Sequence, residues 1–194
     1  KFVQTWDGFV YHMTCRGSRF ADGAKRNPNG QVFMKNRETD EWLKQNQKAT
    51  REFIRKWGHF CKHDSLMKPI VPPKWDIGFV VKNCNIKLLE TIEPWCSTLY
   101  CDEVFSIGRV SDYVENENTS FDLYERIKSL DAEKNNDIIV EFDANKLTQY
   151  SFNLITEFSN ILKESDVEVG EFELDIFKFR VKNVRTYEMS LVKL

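Results

Sequence analysis

The clearest periodic pattern in this chain lies between residues 40 and 57, where apolar and charged positions recur at helical spacing. Thr39 is placed to cap a helix here, and Gly58 is placed to end it. The apolar face comprises Trp42, Leu43, Ala49, Phe53, Ile54 and Trp57, and the opposite, cationic face comprises Lys44, Lys48, Arg51 and Arg55. The pattern predicts an amphipathic helix.

Beyond this helix the pattern alternates between short apolar runs and helical spacing. Strands are predicted at Asp76–Cys84, Thr98–Asp102, Asp137–Asp143, near Glu171–Val181 and at Thr186–Lys193, and helices at Ile86–Trp95, Ser120–Leu130 and Tyr150–Lys163. In "EFELDIFKFRV" the apolar positions change from even to odd numbers, which predicts a bulge or bend in that strand. The alternation predicts an α+β fold, with alternating α/β elements in a small α/β sandwich around a mixed sheet.

Composition narrows the class of protein. The chain of 194 residues is 41% hydrophobic and 30% charged, which is typical of a globular protein. No apolar run approaches the roughly 20 residues of a membrane helix, so no membrane span is expected. Five cysteines form an odd number without a CxxC pair, which favours reduced thiols and a cytoplasmic location.

The net charge of −2 conceals two regions of opposite sign. Residues 1–74 hold 15 Lys and Arg against 7 Asp and Glu, whereas residues 75–194 hold 13 against 23. Between them "KPIVPPKW", residues 68–75, has three prolines and predicts a semi-rigid linker. Only the first region is expected to attract an anionic partner.

A histidine followed by a basic loop is the first candidate site. Residues 2–13 predict one or two strands ending near His12, and residues 16–36 form a long loop with three glycines and a proline. Neutral imidazole can ligate a borderline metal such as Mn²⁺, and arginine forks suit phosphate oxygens. A half-buried histidine before a solvated basic loop explains the same pattern.

This order of "VYH", arginine-bearing loop, glycine-punctuated segment and amphipathic helix resembles the end of a family 2 glycosyltransferase domain of the GT-A type. It is similar to that stretch in polypeptide N-acetylgalactosaminyltransferases and covers about residues 1–57. The resemblance implies that His12 ligates Mn²⁺ or Mg²⁺ and that residues 20–30 close over a nucleotide-sugar donor. It also implies diphosphate contacts from Arg16, Arg19, Lys25 and Arg26.

The resemblance leaves important parts of such an enzyme unaccounted for. No convincing Asp-x-Asp motif precedes His12, and the nucleotide-binding half of the domain is expected to lie outside this chain. The predicted domains are therefore a GT-A remnant (1–67), the linker (68–75) and an acidic α+β domain of unknown role (76–194). The complete enzyme would transfer a sugar to a glycan acceptor, and this chain alone would be inactive and bind no metal tightly.

Three weaker patterns remain. In "HFCKHD", His59, Cys61 and His63 would share one face of a strand and could bind zinc, although a connector is the simpler interpretation. The cationic helix face lacks a groove-reading motif, so no specific nucleic-acid binding is expected. Carboxylates at Asp102, Glu103, Asp143 and Asp175 follow or interrupt strands and could act as acid and base, but the sequence selects no pair.

The alternative function is a non-catalytic module that binds a protein partner or an anionic polymer. Its acidic second region and basic first region would supply two interaction surfaces. An upstream region with an Asp-x-Asp motif would favour the transferase instead.

Overall fold

The computed structural model describes residues 39–60, 62–102 and 109–187. The chain divides into two compact units after Gln47. Helix α1 (Asp40–Trp57) begins where Thr39 Oγ1 accepts a hydrogen bond from the Trp42 N–H at 3.2 Å. It ends at Gly58, whose φ of +79° is a conformation that glycine adopts without strain. The predicted helix, its cap and its end are confirmed.

The remaining described elements belong to residues 48–194. The further helices are α2 (Ile86–Ile92), α3 (Arg109–Glu117), α4 (Leu123–Arg126) and α5 (Gln149–Glu164). The strands are β1 (Lys62–His63), β2 (Pro69–Ile70), β3 (Lys74–Trp75), β4 (Ile77–Lys82), β5 (Thr98–Cys101), β6 (Ile127–Ser129), β7 (Ile138–Asp143), β8 (Gly170–Leu174), β9 (Phe177–Val181) and β10 (Thr186–Tyr187). None of the helices in the described ranges has the length and apolar character needed to cross a membrane.

Six strands form one mixed sheet in the order β6-β5-β4-β7-β9-β8. Strands β6, β5, β4 and β7 are parallel, and β9 is antiparallel to both of its neighbours. Two smaller pairs, β1 with β2 and β3 with β10, are antiparallel. The predicted α+β fold with a mixed sheet is therefore confirmed.

The main core lies on one face of this sheet, where alternate residues of each strand meet the helices. Phe158 of α5 packs edge-on against Phe79, Phe177 and Phe179, with ring centroids 5.0 to 6.1 Å apart. On the opposite face, Val80, Tyr100 and Ile139 form a smaller cluster. The strands at the centre of the sheet are thus apolar on both faces, as buried parallel strands usually are.

A buried charge network holds α1 from Lys48 onward against the sheet unit. The Arg55 side chain is 1% exposed and donates to Glu93 Oε2 at 2.9 Å, to the Tyr113 hydroxyl at 2.7 Å and to Glu117 Oε2 at 2.6 Å. Arg126 Nε donates to Glu93 Oε1 at 2.7 Å. Arg55 was predicted on the cationic face of the helix, yet it is among the most buried charged residues described.

Most predicted elements of residues 76–187 are confirmed, and two are wrong. The helix predicted at Ser120–Leu130 is the single turn α4 followed by strand β6. The bend predicted within Glu171–Val181 is a complete hairpin, in which Asp175 turns the chain with a φ of +55°. The strands predicted over residues 2–13 lie outside the described residues.

Candidate functional site

The carboxyl edge of the sheet carries the candidate site. The chain leaves β4 through α2 to β5 on one side and leaves β7 through α5 to β8 on the other side. The strand order therefore reverses between β4 and β7. In open α/β sheets, the crevice at the carboxyl ends of two such strands is where ligands bind.

Asn83, the residue directly after β4, lies at the centre of this edge. Its backbone adopts a φ of +58°, which a short polar side chain tolerates better than most. Its N–H donates to Asp102 Oδ2 at 2.7 Å, and its side-chain amide donates to Asp143 Oδ1 at 2.9 Å. One asparagine therefore joins the carboxylates that end two different strands.

Asp102 fixes the turn after β4. Its Oδ1 accepts the Cys84 N–H at 3.1 Å, while its Oδ2 accepts that of Asn83. The two bonds hold consecutive backbone amides in one orientation, just before Asn85 caps α2 by accepting from the Leu88 N–H at 3.0 Å. These hydrogen bonds constrain the backbone of the short β4–α2 connection.

Asp143 is the more available acid of the pair. Its Oδ1 also accepts the Asn145 N–H at 2.9 Å, and among the described residues its Oδ2 accepts no hydrogen bond. The bonds from the Asn83 amide and the Asn145 N–H lower the pKa of Asp143 below its usual 3.8. This carboxylate is therefore ionised at neutral pH, and within the described part of the chain its Oδ2 is available for a cation or a hydroxyl donor.

A charged pair borders the two acids on the same edge. Lys82 Nζ donates to Glu141 Oε1 at 2.7 Å, and both side chains are about half exposed. Lys82 and Lys146 also lie close enough to Asp143 to help lower its pKa. The edge thus combines carboxylates with lysines, a mixture that can hold a cation together with a phosphate group.

The structure separates the four carboxylates that the sequence could not rank. It brings Asp102 and Asp143 together through Asn83. Asp175 instead accepts a hydrogen bond from the Ser151 hydroxyl at 2.6 Å, at the start of α5. Glu103 lies outside the described residues. Asn83 itself was missed by sequence reasoning, and the only signal for it was its position directly after an apolar strand.

The site residues implied by the resemblance are not part of this geometry. His12, Arg16, Arg19, Lys25 and Arg26 all lie outside the described residues, and their roles stay predictions. Across residues 39–60, 62–102 and 109–187, no group of three or more His, Cys, Asp and Glu side chains is arranged to hold a metal ion.

The "HFCKHD" segment does not form a continuous strand in the described residues. His59 is buried and its Nδ1 lies 2.5 Å from the Phe60 carbonyl oxygen, while its ring packs edge-on against Phe53. His63 is exposed, and its Nδ1 lies 3.0 Å from the Asp64 carbonyl oxygen. Cys61 lies outside the described residues. The zinc interpretation gains no support from the two histidines.

Comparison with known proteins provides no assignment. No family model, no curated protein and no solved structure matches this chain.

Proposed function

We propose that this chain is part of a glycosyltransferase that moves a sugar from a nucleotide-sugar donor to a hydroxyl group of a glycan acceptor. The observation that carries the proposal is the carboxyl edge, where Asn83 joins Asp102 and Asp143 at the reversal of strand order. The resemblance of residues 1–57 to a GT-A glycosyltransferase of family 2 supports the same activity.

In this proposal the donor nucleotide binds at the carboxyl edge of the sheet, within residues 76–194, and not in the absent half of a GT-A domain that the resemblance implies. Asp102 keeps the turn after β4 in place, and Oδ2 of Asp143 faces the phosphate side of the ligand. Two carboxylates beside a diphosphate repel it unless a divalent cation lies between them, and Mg²⁺ or Mn²⁺ favours carboxylate and phosphate oxygens. Such a cation, when bound, would stabilise the charge that develops on the leaving diphosphate.

The roles that the resemblance implies remain part of the proposal for the complete enzyme. They are metal ligation by His12 and diphosphate contacts from Arg16, Arg19, Lys25 and Arg26. We expect nucleotide binding by this chain alone to be weak, with a Kd on the order of 1 mM, or about −4 kcal/mol. Sugar transfer would need sequence beyond this chain.

The test is a titration with UDP and Mg²⁺, followed by two-dimensional NMR of the ¹⁵N-labelled chain. We expect saturable chemical-shift changes for the amides of Asn83, Cys84 and Asn145. The Asp143→Asn substitution should weaken the Mg²⁺-dependent binding of UDP about tenfold. Asp131→Asn, which changes an exposed acid after β6, is the matched control and should leave binding unchanged. Chemical-shift changes that spread over the surface without saturating would refute the assignment. So would saturable changes that are the same in the Asp143→Asn variant as in the unchanged protein.

The alternative function, a non-catalytic interaction module, is favoured by a different observation. The β1–β2 hairpin exposes Leu66 by 71% and Met67 by 68%, and large exposed apolar side chains that lie together often mark binding surfaces. Affinity purification of the full-length protein without added nucleotide would distinguish this role, because a module should retain a stoichiometric partner.

A further inference from the structure

An open groove of about 620 Å³ lies on the far side of the sheet unit from the acidic pair. It is bounded by the end of α1, the proline-rich segment before β4, the end of α5 and the segment that contains β10. Its volume is within the 300 to 1,000 Å³ range typical of ligand sites. We call it the α1–α5 groove.

Apolar residues form part of the lining of the groove. Pro72, Trp75 and Leu162 are buried beneath it, whereas Trp57 is 37% exposed and Val71 is 63% exposed. Pro72 and Pro73 have no backbone N–H, so an extended peptide cannot add to this segment as a regular strand. The surface therefore suits a ligand that makes apolar contacts through a ring face, and not one that hydrogen-bonds through a peptide backbone.

The charge of the groove is positive. Lys56, Lys74 and Lys163 line it, and Asp166 is the acidic residue among the lining residues in the described part of the chain. Lys56 Nζ lies 5.2 Å from the Trp57 ring centroid, which places a cation beside the exposed indole. An anionic ligand is favoured over a neutral or cationic one.

Lys74 is held inside the groove by the end of α1. Its Nζ donates to the carbonyl oxygens of Arg55 at 2.6 Å and Lys56 at 2.8 Å, so it satisfies two acceptors at a helix C-terminus. Burial, together with the charge of Arg126, lowers the pKa of Lys74 to about 8. A carboxylate bound nearby would favour the charged ammonium and raise this pKa again.

The groove and the acidic pair are separate sites. Trp75 of the groove precedes the first residue of β4, and Asn83 follows the last. Six strand residues span about 20 Å, so a small ligand bound in the groove does not reach Asp143. A ligand that occupies both sites at once must be a chain of several units.

We propose that the α1–α5 groove binds an acidic sugar chain, a polysaccharide segment whose rings carry carboxylates. The apolar faces of the sugar rings would pack on Trp57 and the prolines, and the carboxylates would pair with Lys56 and Lys163. The inference rests on the proposed transferase function for its biological meaning, since the acidic polysaccharide bound in the groove would be the acceptor of the transferred sugar. The binding site itself depends only on the groove.

The test uses a tetramer of galacturonic acid as probe, measured by calorimetry on the whole chain at pH 7. We expect saturable binding that weakens as salt increases, and at least tenfold weaker binding of the neutral maltotetraose. Lys163→Ala should weaken the acidic tetramer about three- to tenfold, and Trp57→Ala at least tenfold. Lys87→Ala, another exposed lysine on a helix, should change nothing.

Proton uptake on ligand binding gives a second readout, which a purely structural role of Lys74 would not produce. At pH 8 the acidic tetramer should bind with an uptake of up to about half a proton, seen as a dependence of the binding enthalpy on the buffer. Lys74→Met should abolish this uptake. Lys163→Ala keeps the test decisive if Trp57→Ala does not fold.

Several outcomes would overturn the inference. These are an equal affinity for maltotetraose, an equal affinity for a polyglutamate peptide of the same charge, or an affinity unaffected by Lys163→Ala and Trp57→Ala. If the unchanged chain binds the acidic tetramer but does not bind UDP, the result would contradict the transferase function and would leave the groove assignment intact.

Discussion

Replacing Arg55 tests how the chain from Lys48 onward is held together. Its guanidinium is surrounded by Glu93, Glu117 and the Tyr113 hydroxyl, all within 3.0 Å. Glu93 is fully buried, and its second oxygen is bonded to Arg126. Arg55→Ala would therefore leave buried Glu93 with one cationic partner and would create a cavity beside Tyr113.

The expected cost follows from the burial of this network. Removing one partner of a buried ion pair costs about 3–5 kcal/mol, because the remaining charge stays desolvated. A domain of this size has a total stability of about 5–15 kcal/mol, so the variant should be severely destabilised or unfolded at 37 °C. Lys56→Ala, at the exposed neighbouring position, should change stability by no more than about 0.5 kcal/mol.

Urea unfolding followed by circular dichroism measures the difference. With a slope of about 2 kcal/mol per molar urea, the Arg55→Ala midpoint should fall by about 1.5–2.5 M. Arg55→Lys keeps the positive charge but loses the planar guanidinium group that donates to several partners at once. Its urea midpoint should therefore lie between those of Arg55→Ala and the unchanged protein. A loss below about 1 kcal/mol for Arg55→Ala, with an unchanged slope, would refute the argument that the network holds α1.

The same network predicts the response to acid. Burial alone would raise the pKa of Glu93, but the charges of Arg126 and Arg55 outweigh it, and the pKa falls below its usual 4.5. A carboxylate with a lowered folded pKa stabilises the protein above the unfolded value and loses this effect as the pH falls through the folded pKa. Stability should therefore be constant between about pH 5 and 7 and fall below about pH 4.5, and Arg55→Ala should weaken that fall.

Three further predictions concern other parts of the sheet unit. A Cβ on Gly78 would lie 2.3 Å from Asn136 Oδ1, so Gly78→Ala should cost about 1–3 kcal/mol and lower the thermal midpoint by at least about 3 °C; an unchanged midpoint would contradict the close approach. Because folding lowers the pKa of Lys74 from 10.5 to about 8, the free energy of unfolding should rise as the pH increases from 8 to 9.5, and Lys74→Met should remove the rise. The buried thiols of Cys84, Cys96 and Cys101 should resist alkylation by iodoacetamide at pH 8 until urea unfolds the chain, as measured by peptide mass spectrometry. Rapid labelling of any of the three in the folded protein would contradict their burial.

The sequence predicted elements well where the hydrophobic pattern was long. Strands β4 and β7 each contain an apolar run of three residues or more, and α1 and α5 keep a helical period over 16 residues or more. The pattern failed where elements are short. Strand β6 has three residues and follows a four-residue helix, so a single helical interpretation of Ser120–Leu130 satisfied the same apolar spacing.

The site was harder to predict because it depends on strand order. The order β5-β4-β7 places Asp102 and Asp143 on opposite sides of Asn83, although these two acids are 41 residues apart in the chain. No local pattern distinguishes them from Asp175, which ends a strand in the same way. The burial of Arg55 was equally hidden, since its partners Glu93 and Glu117 are distant in sequence and helical spacing alone assigns it to a charged face.

The most direct test of the central claim is a crystal of the chain soaked with UDP and Mn²⁺. The proposal predicts nucleotide density at the carboxyl ends of β4 and β7, with an anomalous manganese peak beside Asp143 Oδ2. Nucleotide and manganese bound elsewhere, with the Asn83, Asp102 and Asp143 cluster unchanged and empty at saturating ligand, would contradict it.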